Sequence, residues 1–198
     1  LIFNIMIVKK ISAKVVKNSR DEQTILVFIK TNLGTFKTYA PSGKSRGKYE
    51  IKPYGINLFN DIKFIKKIPL IKLNLEKFDD LKKLEKFVGK KLGGNSLFAL
   101  EASLLKGLAK ENNKELWEFL LEKKINKLPR PIGNAIGGGL HSRGVDEKKP
   151  DFQEFLFIPN GKNFRECVTI NKIAFKLSQK ILKAHKKNDE GAWETDKE

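Results

Sequence analysis

The residues best suited to chemistry lie between Gly133 and Pro159. Three consecutive glycines, Gly137 to Gly139, come just before His141. Glycines allow the backbone to turn sharply or to come close to a ligand. Further along, Gln153 and Glu154 stand at the start of an apolar strand. Polar groups at a strand end beside a glycine-rich loop are typical of an active site, so this stretch predicts one.

Two other short segments carry polar groups that could serve the same site. An Asp-Glu-Gly triplet occupies residues 189–191 and, taken alone, is typical of a surface turn. Ser45 lies in the loop 41–50, where residues 43–45 also match the end of a phosphate-binding P-loop. That motif requires a glycine where this chain has Thr38, and a helix immediately afterwards, so the P-loop interpretation is discarded.

Taken in order along the chain, these segments resemble enolase. The family pattern is Asn-x-x-Asn-Gly-Gly-x-His, followed by Gln-Glu-Phe and an apolar strand that ends in Pro. The residues that fit it are Asn134, Gly138, Gly139, His141, Gln153, Glu154, Phe155 and Pro159, and Gly137 stands where the family usually has its second Asn. The triplet at 189–191 is similar to the family's Gly-Asp-Glu-Gly-Gly at the end of its third barrel strand, with Asn188 and Ala192 in place of the outer glycines.

Earlier segments show the same resemblance. Asn18–Asp21 is similar to the family's Asp-Ser-Arg-Gly turn, and 41–50 to its Pro-Ser-Gly-Ala-Ser-Thr-Gly loop. In that loop Lys44 and Arg46 replace Ala and Thr; they either help to hold an anionic phosphate or point to solvent. The chain then departs from the family's Glu-Leu-Arg-Asp run at Ile51–Gly55, so the way in which the loop is anchored is left open.

The resemblance implies a reaction. Enolases dehydrate 2-phosphoglycerate to phosphoenolpyruvate, using magnesium to neutralise the developing charge. By resemblance, Glu190 is the acid that protonates the departing hydroxide, and Glu154 sits beside it. His141 and Gln153, with Glu154, contact the substrate, and Ser45 completes the second magnesium site from a closing loop. The family's base lysine and first magnesium ligands come from later strands, so this chain is expected to be an amino-terminal portion that is inactive by itself.

The period of the apolar residues predicts the elements that position these groups. Three strands at 7–16, 24–30 and 35–40 form an antiparallel meander, and helices at 74–88, 95–110 and 114–124 present core stripes. After a linker at 126–131, strands at 131–136 and 154–158 form a hairpin, and a helix covers 164–183. The expected fold is an α+β domain over 6–126, followed by the incomplete start of an enolase-type β/α barrel over 127–198.

Composition narrows the possible locations and binding partners of the protein. Cys167 is the only cysteine, which excludes a disulfide framework and favours a reducing, cytoplasmic location. No apolar run approaches the ~18 residues of a membrane span, so no membrane partner is expected. The net charge of +17 is spread along every segment without an aromatic–basic motif, which favours a compositional bias over nucleic-acid binding. The alternative is a non-catalytic enolase-like scaffold or nucleic-acid-binding protein; the enolase resemblance itself implies a homodimer or higher homo-oligomer.

Overall fold

The computed structural model describes residues 5–43, 46–121, 127–143 and 150–196. The chain divides into two compact units, Leu1–Lys124 and Ile125–Glu198. Within the described residues, none of the helices combines the length and the apolar character that crossing a membrane would require.

The first unit is built on a three-stranded antiparallel sheet. Its strands are β1 (Val8–Lys17), β2 (Gln23–Thr31) and β3 (Thr35–Tyr39), in the order β1-β2-β3, which confirms the predicted meander. The central strand β2 is buried, in agreement with its apolar sequence. Ile25, Val27 and Ile29 are completely buried.

Helices share a hydrophobic core with this sheet. They are α1 (Leu58–Ile65), α2 (Leu81–Val88), α3 (Gly94–Glu111) and α4 (Leu116–Leu120). The longest, α3, packs on β2 and β3. Of its predicted stripe, Leu100, Leu104 and Leu108 are almost fully buried, and Leu97 is partly buried. The sequence pattern therefore identified the helix that closes the core.

Three expectations for this unit were wrong, and one helix was missed. The helix predicted from Asn74 begins only at Leu81, because Asn74 adopts a left-handed conformation and short 3-10 turns precede α2. The helix α1 was not predicted. The described part of α4 is shorter than predicted, and Trp117 is 54% exposed although its stripe was expected in the core. Helical spacing shows which residues share a face but not whether that face is covered.

The second unit holds a smaller sheet and one long helix. Strands β4 (Gly133–Gly137), β5 (Glu154–Phe157) and β6 (Trp193–Glu194) are ordered β5-β4-β6, with β4 antiparallel to β5 and parallel to β6. The helix α5 (Phe164–Leu182) begins at Asn163, whose side chain accepts a hydrogen bond from the Glu166 N–H. The predicted hairpin and helix are both present, within one or two residues of the expected bounds.

Candidate active site

The loop that carries His141 is held against the segment before β5. The Gly138 N–H donates to the Gln153 carbonyl at 2.8 Å, and the Gly139 N–H donates to the Pro150 carbonyl at 3.1 Å. Gly139 has a φ of 53°, a left-handed conformation that glycine adopts without steric cost. The glycine run therefore fixes the position of the loop from which the His141 side chain extends.

The acidic pair lies on a tight turn that leads into β6. The side-chain Oδ1 of Asn188 accepts hydrogen bonds from the Glu190 N–H at 3.1 Å and the Ala192 N–H at 2.9 Å. The Asn188 N–H also donates to the Ala192 carbonyl at 2.9 Å. Asp189 and Glu190 thus precede a strand here, whereas the family pattern puts the acidic pair at a strand end.

The two segments bring an imidazole and two carboxylates together. His141 Nδ1 lies 3.3 Å from Asp189 Oδ1 and 3.4 Å from Glu190 Oε1. The three side chains are 14%, 19% and 36% exposed, respectively. Asn134, on β4, donates from Nδ2 to Glu190 Oε2 at 3.3 Å. The result is a partly open polar cluster at one end of the small sheet.

The contact at His141 is a close approach rather than a well-directed hydrogen bond. Its Nδ1 is buried and meets no acceptor at hydrogen-bonding angles, despite the short distances to both carboxylates. A protonated imidazole is attracted by these carboxylates, while a neutral one could turn to a ligand. The cluster therefore places one imidazole nitrogen within reach of two carboxylates.

The other two predicted residues begin β5. Glu154 pairs with Gly137, which on its other side pairs with Glu194 of β6, so the three residues share one row of the sheet. Gln153 is exposed, and its backbone carbonyl holds the glycine loop. The expected closeness of Glu154 to Glu190 stays a prediction.

Comparison with known proteins gives the chain a family context. It is 34% identical over 214 residues to the enolase of Ehrlichia chaffeensis, covering 96% of this chain and 50% of the relative. It is 34% identical over 200 residues to the enolase of Methanocorpusculum labreanum (94% and 49%), and 28% identical over 203 residues to that of Methanothermobacter thermautotrophicus (94% and 48%).

The chain is a homologue of the enolases. It spans about half the length of the curated relatives that it matches. No protein-family model matches it.

Sequence reasoning missed a buried acid of this enolase homologue. Glu194 is 3% exposed, and its Oε1 accepts a hydrogen bond at 3.0 Å from the N–H of Arg143, two residues after His141. The bond ties the histidine loop to β6. A glutamate in a charged tail segment gives no sequence signal of this role, because the burial comes entirely from the packing around it.

An aromatic–cation stack supports the same strand. Trp193 donates from Nε1 to the Phe175 carbonyl at 3.0 Å, and the two rings lie 5.1 Å apart. Lys187 Nζ lies 5.0 Å from the Phe175 ring centroid and 4.6 Å from that of Trp193. Such contacts are favourable when a cation sits over an aromatic face. They connect α5 to the turn that carries the acidic pair.

Ser45 lies outside the described residues, but both ends of its loop are held within the first unit. Arg20 donates from Nη2 to the carbonyls of Ser42 at 2.6 Å and Gly43 at 3.0 Å. After the loop, the buried carboxylate of Asp61 accepts hydrogen bonds from the N–H groups of Gly55 and Gly93. Gly55, at the end of the segment that departs from the family pattern, is therefore tied to α1.

Magnesium was expected from the resemblance. Among the described residues, no three His, Cys, Asp or Glu side chains are arranged to hold a metal ion. The cluster of His141, Asp189 and Glu190 therefore does not fit a magnesium site by itself.

Proposed function

We propose that this chain is the amino-terminal part of an enolase, which dehydrates 2-phosphoglycerate to phosphoenolpyruvate. The observation that carries the proposal is the meeting of His141 with Asp189 and Glu190, from segments far apart in the sequence. Of these, His141 and Glu190 are residues that the enolase resemblance assigns to one site. The homology to curated enolases supports the same reaction.

In this proposal the chain's own residues handle the leaving group. Loss of hydroxide from an enediolate needs a proton donor at the departing oxygen. Glu190 would serve as that acid, because its carboxyl group is partly open to solvent and is oriented by Asn134. His141 would bind the anionic substrate, and Gln153 and Glu154 would contact it from the start of β5.

The proposal extends to parts that this chain does not hold. The strands β4, β5 and β6 with α5 would begin an enolase-type barrel that further strands complete. Magnesium would neutralise the substrate's charge, held by Ser45 on one side and by residues from the rest of the protein. The active form would be a homodimer or a higher homo-oligomer, and it would work in the cytoplasm.

The test is an assay of the complete gene product that contains these residues. With magnesium and 2-phosphoglycerate, we expect the ultraviolet absorbance of phosphoenolpyruvate to grow, and Glu190→Gln to abolish that growth. The matched control is Asp196→Asn, an exposed carboxylate just after β6, which should leave turnover unchanged.

Two outcomes would count against the proposal. Full turnover in Glu190→Gln would refute the assignment of the acid. Absence of turnover in the unaltered protein, together with salt-sensitive binding of RNA, would favour the non-catalytic alternative, since electrostatic binding of phosphates weakens steeply with salt.

A further inference from the structure

The side chain of Asn188 occupies space that only a glycine at position 137 leaves open. A Cβ atom added to Gly137 would overlap Asn188 Nδ2 and would lie 2.8 Å from its Cγ. Gly137 does not have a positive φ, so its backbone conformation does not itself demand glycine. Glycine is therefore required at position 137 because a larger side chain has no space there, not because of its backbone conformation.

Asn188 uses that room to build the acidic turn. It is 7% exposed, and its Oδ1 accepts the N–H groups of Glu190 and Ala192. This is the local side-chain-to-backbone bonding by which Asn stabilises turns. Its Nδ2 is buried without a hydrogen-bond acceptor among the described residues, a costly arrangement unless a water or ligand oxygen accepts it.

We propose that Asn188 is the positioning residue of the Asp189–Glu190 turn and that it forms an exchanged pair with Gly137. The enolase pattern has Asn at the position of Gly137 and Gly at the position of Asn188, and this chain has the reverse. In the proposed pair, a carboxamide at either position would fill the same space. The pair bears on the proposed function through Glu190, but its existence does not depend on turnover.

The first test measures amide hydrogen exchange in the 198-residue chain by NMR. Asn188→Ala removes the acceptor, so exchange at Glu190 and Ala192 should accelerate by about fivefold to tenfold, the factor expected from one ordinary hydrogen bond. Asn188→Ser keeps a side-chain oxygen that can accept the same groups more weakly, and it should restore part of the protection. Unchanged exchange in Asn188→Ala would overturn the proposal.

The matched control is Asn171, another asparagine packed over a glycine of β4. Its side chain lies against Gly133 and donates to the Pro131 carbonyl at 2.9 Å. Asn171→Ala should leave exchange at Glu190 and Ala192 as it is in the unaltered chain. Equal acceleration in both variants would mean that the unit loosens as a whole, and would overturn the specific role of Asn188.

The second test combines substitutions at positions 137 and 188. Gly137→Asn in the unaltered background should lower the melting temperature strongly, because two carboxamides compete for one space. In the Asn188→Gly background the same change should cost much less, because the space is empty. Effects that simply add would show that the two positions are independent, and would overturn the pairing.

The two proposals fail separately. If the complete protein turns over substrate but positions 137 and 188 are not coupled, only the proposal of the exchanged pair is refuted. If the two positions are coupled but the complete protein shows no turnover, only the proposed reaction is refuted. If Gly137→Asn does not fold, the exchange measurements on Asn188→Ala and Asn188→Ser still decide the role of Asn188.

Discussion

The two units treat their apolar residues in opposite ways. In the first, β2 and α3 bury large aliphatic side chains completely, including Ile25, Ile29 and Leu100. In the second, the buried apolar residues are mostly small, namely Ala135, Cys167, Ala184, Ala192 and one large residue, Trp193. The apolar residues Phe155, Leu156, Ile173, Leu177 and Ile181 of β5 and α5 are exposed instead.

The contrast shows that a helical apolar stripe is a necessary sign of a core but not a sufficient one. The stripes of α3 and α5 have the same spacing, yet α3 lies on a complete sheet and the α5 stripe meets solvent. Large exposed apolar surfaces usually mark places where other protein packs. Under the proposed function, the remaining barrel elements would cover this face.

The largest expected effect compares one leucine from each helix. Leu104 in α3 is 1% exposed, whereas Leu177 in α5 is 50% exposed. Leu104→Ala should reduce the free energy of unfolding by about 2–5 kcal/mol, because it leaves a cavity. Leu177→Ala should change it by less than about 0.5 kcal/mol. Urea unfolding measures both, and similar losses would break the contrast between the units.

A smaller effect is expected at the polar anchor of the first unit. Asp61 is completely buried and accepts hydrogen bonds from the Gly55 and Gly93 N–H groups. Asp61→Ala would leave these donors unpaired and should reduce the free energy of unfolding by about 2–3 kcal/mol. Asp61→Asn keeps one acceptor oxygen and should lose less. If both variants unfold like the unaltered chain, the anchor is unimportant.

The smallest effect is a pH dependence in the first unit. Burial, and secondarily the charge of Glu85, raise the pKa of Glu101 from 4.5 to about 7. Asp79, Lys82 and Glu85 line the same groove between α2 and α3. The folded state therefore holds this proton more tightly than the unfolded state does, so the stabilising contribution is fully present below about pH 4.5 and is lost as pH rises to about 7.

The measurement compares the free energy of unfolding across that pH window in the unaltered chain and in Glu101→Gln. Since Glu101 is only half buried, the loss should be on the order of 1 kcal/mol after solvent screening is allowed for. Glu101→Gln should remove this part of the slope, and Glu85→Gln should reduce it. A slope that survives Glu101→Gln unchanged would assign it to other groups.

Much of this architecture follows from local patterns. The meander, α3, the hairpin and α5 were predictable because strands and long helices leave periods of two and 3.6 in the apolar residues. The helix α1 was not, because its buried faces are short and its cap, Asn57, resembles any polar loop residue. The start of α2 was misplaced because Leu75 and Phe78 continue its helical spacing, although Asn74 is left-handed and a short 3-10 turn precedes α2.

The candidate site, too, was only partly predictable from the sequence. Motif order singled out His141 and Glu190 as candidates, and the structure places both next to Asp189. Glu194, Trp193 and the pairing of Asn188 with Gly137 were not found, because each depends on contact between residues distant in sequence. The roles of Gln153, Glu154 and Ser45 stay predictions.

By itself, the sequence determined most of the strands and the long helices α3 and α5, and which residue types could carry an enolase-like reaction, since backbone preferences and motif spacing are local properties. Only the tertiary structure decided which apolar stripes are covered and how the acidic turn is oriented. It also decided which side chain fills the space above Gly137. Burial and hydrogen bonding across a sheet depend on neighbours that no single stretch of chain contains.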